Sequence, residues 1–260
     1  MKLYRTAFGK FLLLVSAFML VFATMSWAAS DDTDSSKDES DVVKRIDKAG
    51  DVLTEIMGTP DKAIPDKVLS DARCIAIIPS MVKIAVGFGG NHGKGVAVCR
   101  TDHGWSAPAP VTITGGSWGL QLGGQAIDLV MLVMNQKGMD NLLSSKFKLG
   151  ANASAAAGPV GREAGADTDW KMKAEVLSYS RSRGIFAGVD LNGSAITQDK
   201  DETRILYNGK YIPFKEILAG DVKAPADTHH FLATVAKYAP NTPSQGSNEK
   251  ETPTTTAARH

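Results

Sequence analysis

Residues 74–100 read CIAIIPSMVKIAVGFGGNHGKGVAVCR. An apolar run, a Pro79-Ser80 break, a second apolar run, a glycine-dense tip and a third apolar run succeed one another, which predicts three short strands. The tip holds Gly87, Gly89, Gly90, Gly93 and Gly95. A turn at Gly90-Asn91-His92-Gly93 sets Phe88 opposite Gly95, so that an aromatic ring covers a residue with no side chain of its own. Cys74 and Cys99 are the only cysteines. In a simple meander the first and third strands lie two spacings apart, about 10 Å, which is beyond the reach of a bridge. A Cys74–Cys99 disulfide therefore requires the first strand to pair elsewhere.

On the N-terminal side, Val42, Ile46, Ala49, Leu53 and Ile56 recur at helical steps, and Val43, Val52 and Met57 widen the stripe. Gly58 and Pro60 end this amphipathic helix. Its stripe has two readings: docked on the sheet, or entering a bilayer interface while Lys44, Arg45 and Lys48 meet anionic head groups. Lys83, Lys94 and Arg100 flank the glycine tip and extend that basic patch. Pro65 suits the first position of a second, short helix. Residues 29–40, ASDDTDSSKDES, bury nothing and read as a disordered acidic spacer. Residues 1–28 have basic Lys2, Arg5 and Lys10, an apolar core at 11–22 and small residues at Ser26 and Ala28, the pattern of a secretory signal. The apolar run is shorter than the ~20 residues a membrane span needs, and no cysteine directly follows it for lipid attachment, the only two being Cys74 and Cys99. The expectation is an exported, periplasmic protein with peripheral membrane contact.

On the C-terminal side, residues 105–133 are strand-like but broken by Gly115-Gly116, Gly119 and Gly123-Gly124, glycines that mark bulges, bends or close backbone approach and suggest a sheet curling toward closure. Val130–Met134 is continuously apolar, as a strand buried on both faces is. Residues 137–145 supply a helical turn or two, and 146–161 are dominated by alanine and glycine. Alternation from Trp170 and the run 185–191 predict two strands, and Asn192-Gly193 a tight turn into a third. Short helices are expected over 205–218 and 228–238, then a polar, disordered tail over 239–260. The fold class is α+β: a curved, barrel-like antiparallel sheet with an N-terminal amphipathic helix and short C-terminal helices, in one domain over 41–238.

Composition and motifs exclude several functions. The formal net charge is +1, and removal of residues 1–28, with three basic and no acidic residues, leaves −2, which gives no general pull toward nucleic acid. A phosphate-binding loop at Gly93-Lys94 fails because Phe88 replaces its first glycine and Gly95 its hydroxyl residue; a dinucleotide fingerprint fails at His92. His92, His103, His229, His230 and His260 lack metal-ligand spacing. Gly115-Gly116-Ser117-Trp118-Gly119 matches the letters of a nucleophile elbow, with Asp128 or Asp190 and His229 as partners, but residues 120–132 are strand-like where the mechanism needs a helix. A serine hydrolase using Ser117 is the remote alternative.

Three blocks carry a family resemblance: residues 74–100, WSAPAPVTITGGSWGLQLGGQAIDLVMLVMN at 105–135 and SYSRSRGIFAGVDLNGSAI at 178–196. In order and spacing they resemble the SYLF lipid-binding domain, from about Val42 to Lys237. The resemblance implies a curved antiparallel sheet with flanking helices, binding of phospholipid or a membrane surface, no catalysis and no cofactor. Lipid contact would fall on Lys44, Arg45 and Lys48, with Lys83 and Lys94 beside them, although Asp47, Asp51 and Glu55 dilute that basic face. Eukaryotic members bind phosphoinositides and are described as actin-binding; a secretory signal and the lack of a Src-homology-3 or zinc-finger partner domain argue against both ligands here. The alternative is an envelope structural or stress protein whose helix stays docked and whose partners are proteins.

Overall fold

A computed structural model describes residues 32–59, 64–86, 88–118, 123–144, 147–159, 174–182, 185–189 and 191–240. The predicted signal at 1–28, Gly87, Gly119, Trp170 and the tail from 241 lie outside the described residues. The chain divides into a unit ending at Ser40 and a compact unit from Asp41 onward. Helix α1 runs Asp32–Met57, so its first turns occupy most of the segment read as a disordered spacer. Aspartates at a helix start complement the amide dipole, a local effect that a search for buried surface overlooks.

The sheet decides the fold. Strand β1 (Cys74–Val86) is one strand, where two were expected, and β2 (Phe88–Thr101) returns beside it. Pro79-Ser80 marks a bulge: β1 holds one residue more than β2 between Ile77 and Val82, and one more than β5 between Ile78 and Met81. Ser80 takes a left-handed φ of 53°. The ladder runs out to a pairing of Val86 with Phe88, so Phe88 lies in register with Val86 and Trp118 while Gly95 faces Val111. The expected Phe88–Gly95 pairing is therefore wrong. Merging the first two runs also places Cys74 directly opposite Cys99, and the two form a disulfide. The distance argument against that bridge assumed a third strand that does not exist.

Strands β3 (Gly104–Trp105), β4 (Ala109–Trp118), β5 (Gly123–Val133), β6 (Phe147–Lys148), β7 (Ala155–Ala157), β8 (Val176–Ser182), β9 (Ile185–Gly188) and β10 (Ser194–Gln198) complete the sheet. The main path is β6-β10-β4-β2-β1-β5-β8-β7; β3 adds to β2 and β9 to β8. Between these strands every pairing is antiparallel except β7 with β8. Eight strands laid flat would hold the outer two about 34 Å apart at ~4.8 Å per spacing. Yet β6 and β7 sit at opposite ends of the path only seven residues apart, Lys148 to Ala155, a reach of at most about 25 Å when fully extended. That connection is folded, with Asn152 N–H on Lys148 O and Gly150 N–H on Ala153 O, both 2.8 Å. The sheet must therefore curl into a half-barrel, as the glycine-broken sequence predicted.

Around it pack α2 (Asp66–Asp71), α3 (Gln136–Leu142), α4 (Lys200–Leu206), α5 (Phe214–Ala219) and α6 (His229–Tyr238). The helix expected over 205–218 is instead α4 and α5, because Asp199 caps α4 early and Pro213 opens α5. Residues 130–133 are buried on both faces. The domain runs two residues past its expected end: Ala239 is fully buried, its carbonyl accepts from Trp105 Nε1 at 2.9 Å, and Pro240 O accepts from Arg100.

Candidate functional site

The stripe of α1 is docked. Val42, Ile46, Ala49, Val52, Leu53, Ile56 and Met57 are all buried. At roughly 1.5–3 kcal/mol for each large side chain, lifting the helix would cost on the order of 10 kcal/mol. A bilayer could return at most a similar amount, and the sheet beneath the helix would be left bare. Of the two sequence readings of this stripe, the docked one describes the structure.

Polar contacts fix α1 across one sheet face. Near its N-terminal half, Arg45 pairs with Glu202 on α4. The same carboxylate receives Lys94 of β2 at 3.1 Å, and Lys94 also holds Asp199 at 2.8 Å. Asp199 accepts from the Glu202 backbone N–H and the Thr112 hydroxyl, both at 3.0 Å. Burial alone would raise the Asp199 carboxyl, but the Lys94 ammonium and these two donors outweigh it and hold the group below the usual carboxylate range. Burial opposes the charge on Lys94 as well, yet its two carboxylate partners raise the ammonium above the usual lysine value. At the other end of α1, Glu55 pairs with Arg181 of β8, which also holds Asp128 of β5 at 3.0 Å. Asp128 in turn accepts the backbone N–H of Ser80 in the bulge at 2.9 Å.

The five basic residues singled out by sequence thus divide. Arg45 and Lys94 are brought together, but around an acid, and serve the fold. Lys44 is exposed and lies 3.7 Å from Asp41. Lys48 is exposed and donates to Ser80 Oγ at 2.8 Å. Lys83 is half-buried on β1 near the hairpin tip.

Sequence reading missed the surface beyond the helix. The bulge shifts β1 by one residue, and a one-residue shift moves every later side chain to the opposite face. Val82 and Ile84 consequently join the face that carries Ile75 and Ile77, toward the end that α1 leaves uncovered. They are 44% and 56% exposed. Register places Thr114, His92, Val82 and Ala126 in one row across β4-β2-β1-β5, and Gly116, Gly90, Ile84 and Gly124 in the next. All eight are exposed. The result is a shelf paved with glycine from which two aliphatic side chains rise. The only sequence hint was the Val-Lys-Ile alternation after Pro79-Ser80, whose facing depends on the bulge.

The glycines differ in purpose. A Cβ on Gly95 would collide with Ile77 O and lie 2.7 Å from Ile78 Cα, and one on Gly93 would lie 2.6 Å from Ile78 Cγ2, so the bulged strand requires both. A Cβ on Gly90 would make only an ordinary 3.6 Å contact, and one on Gly116 would meet nothing. Gly89 pairs with Ala85 and Ser117 in the ladder. Gly90 and Gly116 are therefore not demanded by packing, contrary to the reading of all these glycines as structural.

Among the described residues there is no nucleophile elbow. Ser117 lies within β4, and the next described helix, α3, comes only after β5. Asp128 is engaged with Arg181 and Ser80, and Asp190 lies outside the described residues. Among the described residues no group of three or more His, Cys, Asp or Glu could hold a metal, and no helix is long and apolar enough to cross a membrane.

Comparison with known proteins places the chain beside a described family. Residues 114–238 match the family described as Ysc84: Las17-binding protein actin regulator. An SH3 domain-containing protein of Schizosaccharomyces pombe is 36% identical over 188 residues, covering 69% of this chain and 43% of its own. The SH3 domain-containing YSC84-like protein 1 of Xenopus laevis is 32% identical over 193 residues, 74% of this chain and 57% of its own. Protein YSC84 of Saccharomyces cerevisiae is 37% identical over 169 residues, 64% and 36% respectively. The chain spans about half the length of these relatives or less.

Proposed function

The chain belongs to the Ysc84/SYLF domain family, and from that membership we propose that it is a non-catalytic module that binds membrane phospholipid. The observation that carries this reading is the exposed pair Val82 and Ile84, on a sheet face that α1 covers only in part. Soluble domains seldom leave aliphatic neighbours on an ordered strand in water unless the surface meets a partner. The contact belongs to the sheet, since the helix stripe is already spent on the core. The description of the family mentions actin regulation and Las17 binding, which would need a cytosolic setting. An exported, periplasmic location is favoured by the leader-like residues 1–28 and by the disulfide, a bond that persists in oxidising compartments.

The test is co-sedimentation of the chain from Ala29 onward with phosphatidylcholine vesicles, with and without phosphatidylglycerol. Removing residues 1–28 leaves the compact unit from Asp41 whole and takes away a segment apolar enough to bind lipid by itself. Pelleting with vesicles is expected; protein that stays in the supernatant with both compositions would overturn the reading.

A further inference from the structure

We propose that the uncovered end of the β4-β2-β1-β5 face is the docking surface, and that it settles on an anionic lipid surface with Val82 and Ile84 entering the interface. This rests on the lipid-binding reading above and specifies where and how the contact is made.

Charge is the first reason. No acidic residue occurs between Asp71 and Asp102 or between Asp102 and Asp128, so β1, β2, β4 and the outer half of β5 carry none. The formal charges in those stretches are all positive, but Arg73 and Arg100 stand at the disulfide end and Lys83 alternates to the face opposite Val82 and Ile84, which leaves Lys94 as the one cation of these strands on the shelf's face. Three acids of the sheet and α4 are engaged inward: Asp128 by Arg181 and the Ser80 N–H, Asp199 and Glu202 by Lys94 and Arg45; the remaining acids beside Lys48, Asp47 and Asp51, belong to α1. An anionic surface approaching this end meets no carboxylate from the strands, while Lys48 stands at the foot of the shelf beside Ser80.

Hydrogen bonding is the second reason. Strands can approach hydrocarbon only where their backbone groups are already paired. At this end β2 lies between β4 and β1, and β1 between β2 and β5, with ladders running out to Phe88–Trp118 and Ala85–Gly123. The two central strands, which carry Val82, Ile84, His92 and Gly90, can therefore lose their water without orphaning backbone polar groups, and with three glycines and one alanine among its eight residues the shelf has few side chains to desolvate. The same poverty disfavours a protein partner. A stable protein interface buries about 800 Å² on each side with shape-matched anchors, which two aliphatic side chains on a glycine floor do not provide. A lipid surface conforms to whatever it meets.

The experiment uses the chain from Ala29 with the double substitution Val82→Ser and Ile84→Ser. Both sites are exposed, so the urea midpoint should not move. Partitioning onto vesicles of phosphatidylcholine and phosphatidylglycerol at about 3:1 should fall about tenfold, the share expected from withdrawing two half-exposed aliphatic groups. A polarity-sensitive fluorophore on Ile84→Cys should shift to the blue when these vesicles are added, while the same probe on Thr54→Cys, exposed on α1, should not. If the wild type binds and the double variant binds equally, with no shift at position 84, the docking surface is wrong and the lipid reading survives. If the wild type binds neither pure nor anionic vesicles, both fall. If the protein without vesicles is a dimer that the double substitution dissociates, the shelf is an interface between copies and the proposal is overturned.

Discussion

The two ends of the β1–β2 hairpin are made from the same pair of strands and are built for opposite purposes. At the Cys74–Cys99 end each residue from 74 to 78 and from 96 to 99 is buried, both faces are covered, and a disulfide joins the strands. At the glycine end the backbone ladder continues unbroken, but the outer face carries Val82, Ile84 and His92 in the open, with glycine between them. The bulge at Pro79-Ser80 is the frontier. It keeps the strands paired while turning the face that held core residues outward past the edge of α1. One hairpin can thus anchor a domain at one end and present a surface at the other, provided a single extra residue is inserted between them.

Substituting glycines on either side of that frontier is the strongest way to break the contrast. Gly95→Ala should destabilise the domain by about 3 kcal/mol or more, because the new methyl strikes the backbone of the bulged strand. Gly116→Ala, with open space around it, should change stability by less than about 0.5 kcal/mol. Urea unfolding compares the two, and equal losses would erase the distinction between an anchoring and a presenting end.

The disulfide gives the next largest effect. Replacing Cys74 and Cys99 together by serine opens a loop with a sequence separation of 25, and unfolding free energy should drop by roughly 2–4 kcal/mol. Vesicle binding, measured well below the midpoint, should persist, because the shelf is at the other end. Loss of binding in a variant that remains folded would show that the two ends are coupled.

The smallest effect concerns the clamp where Lys94 leaves the buried half. Asp199 has a depressed folded pKa, so its contribution is complete above the unfolded value of about 3.9 and disappears as pH falls through the lower folded value. Asp199→Asn should be less stable than the wild type at pH 7 by about 1–2 kcal/mol, a figure reduced because Lys94 remains partly exposed. The two should converge as acid protonates the aspartate. A difference that stays constant as acid titrates stability well below the unfolded value of about 3.9 would mean that the side chain acts by shape and not by charge.

Much of the fold was readable because its signals are local. The α1 stripe repeats at helical steps, Pro65 and Asn192-Gly193 open or turn the chain where expected, and the apolar run at 130–133 is a strand buried on both faces. The errors share a cause: each depended on a distant partner. Pro79-Ser80 has the composition of a strand end, and only pairing with β2 on one side and β5 on the other carries β1 through it. The short β6 and the all-alanine β7 give little strand signal, and the edges of the curled sheet hold them in place. Arg45 and Lys94 looked like head-group ligands because Glu202, more than 100 residues farther along, cannot be seen from either.

By itself the sequence determined an α+β domain, a glycine-hinged sheet bent toward closure, a two-faced leading helix and the family to which these belong, since hydrophobic period and turn chemistry act over a few residues. Tertiary structure alone decided which face of each element is wet. That choice turns on one inserted residue in β1 and on carboxylates supplied from α4, and no local pattern records either.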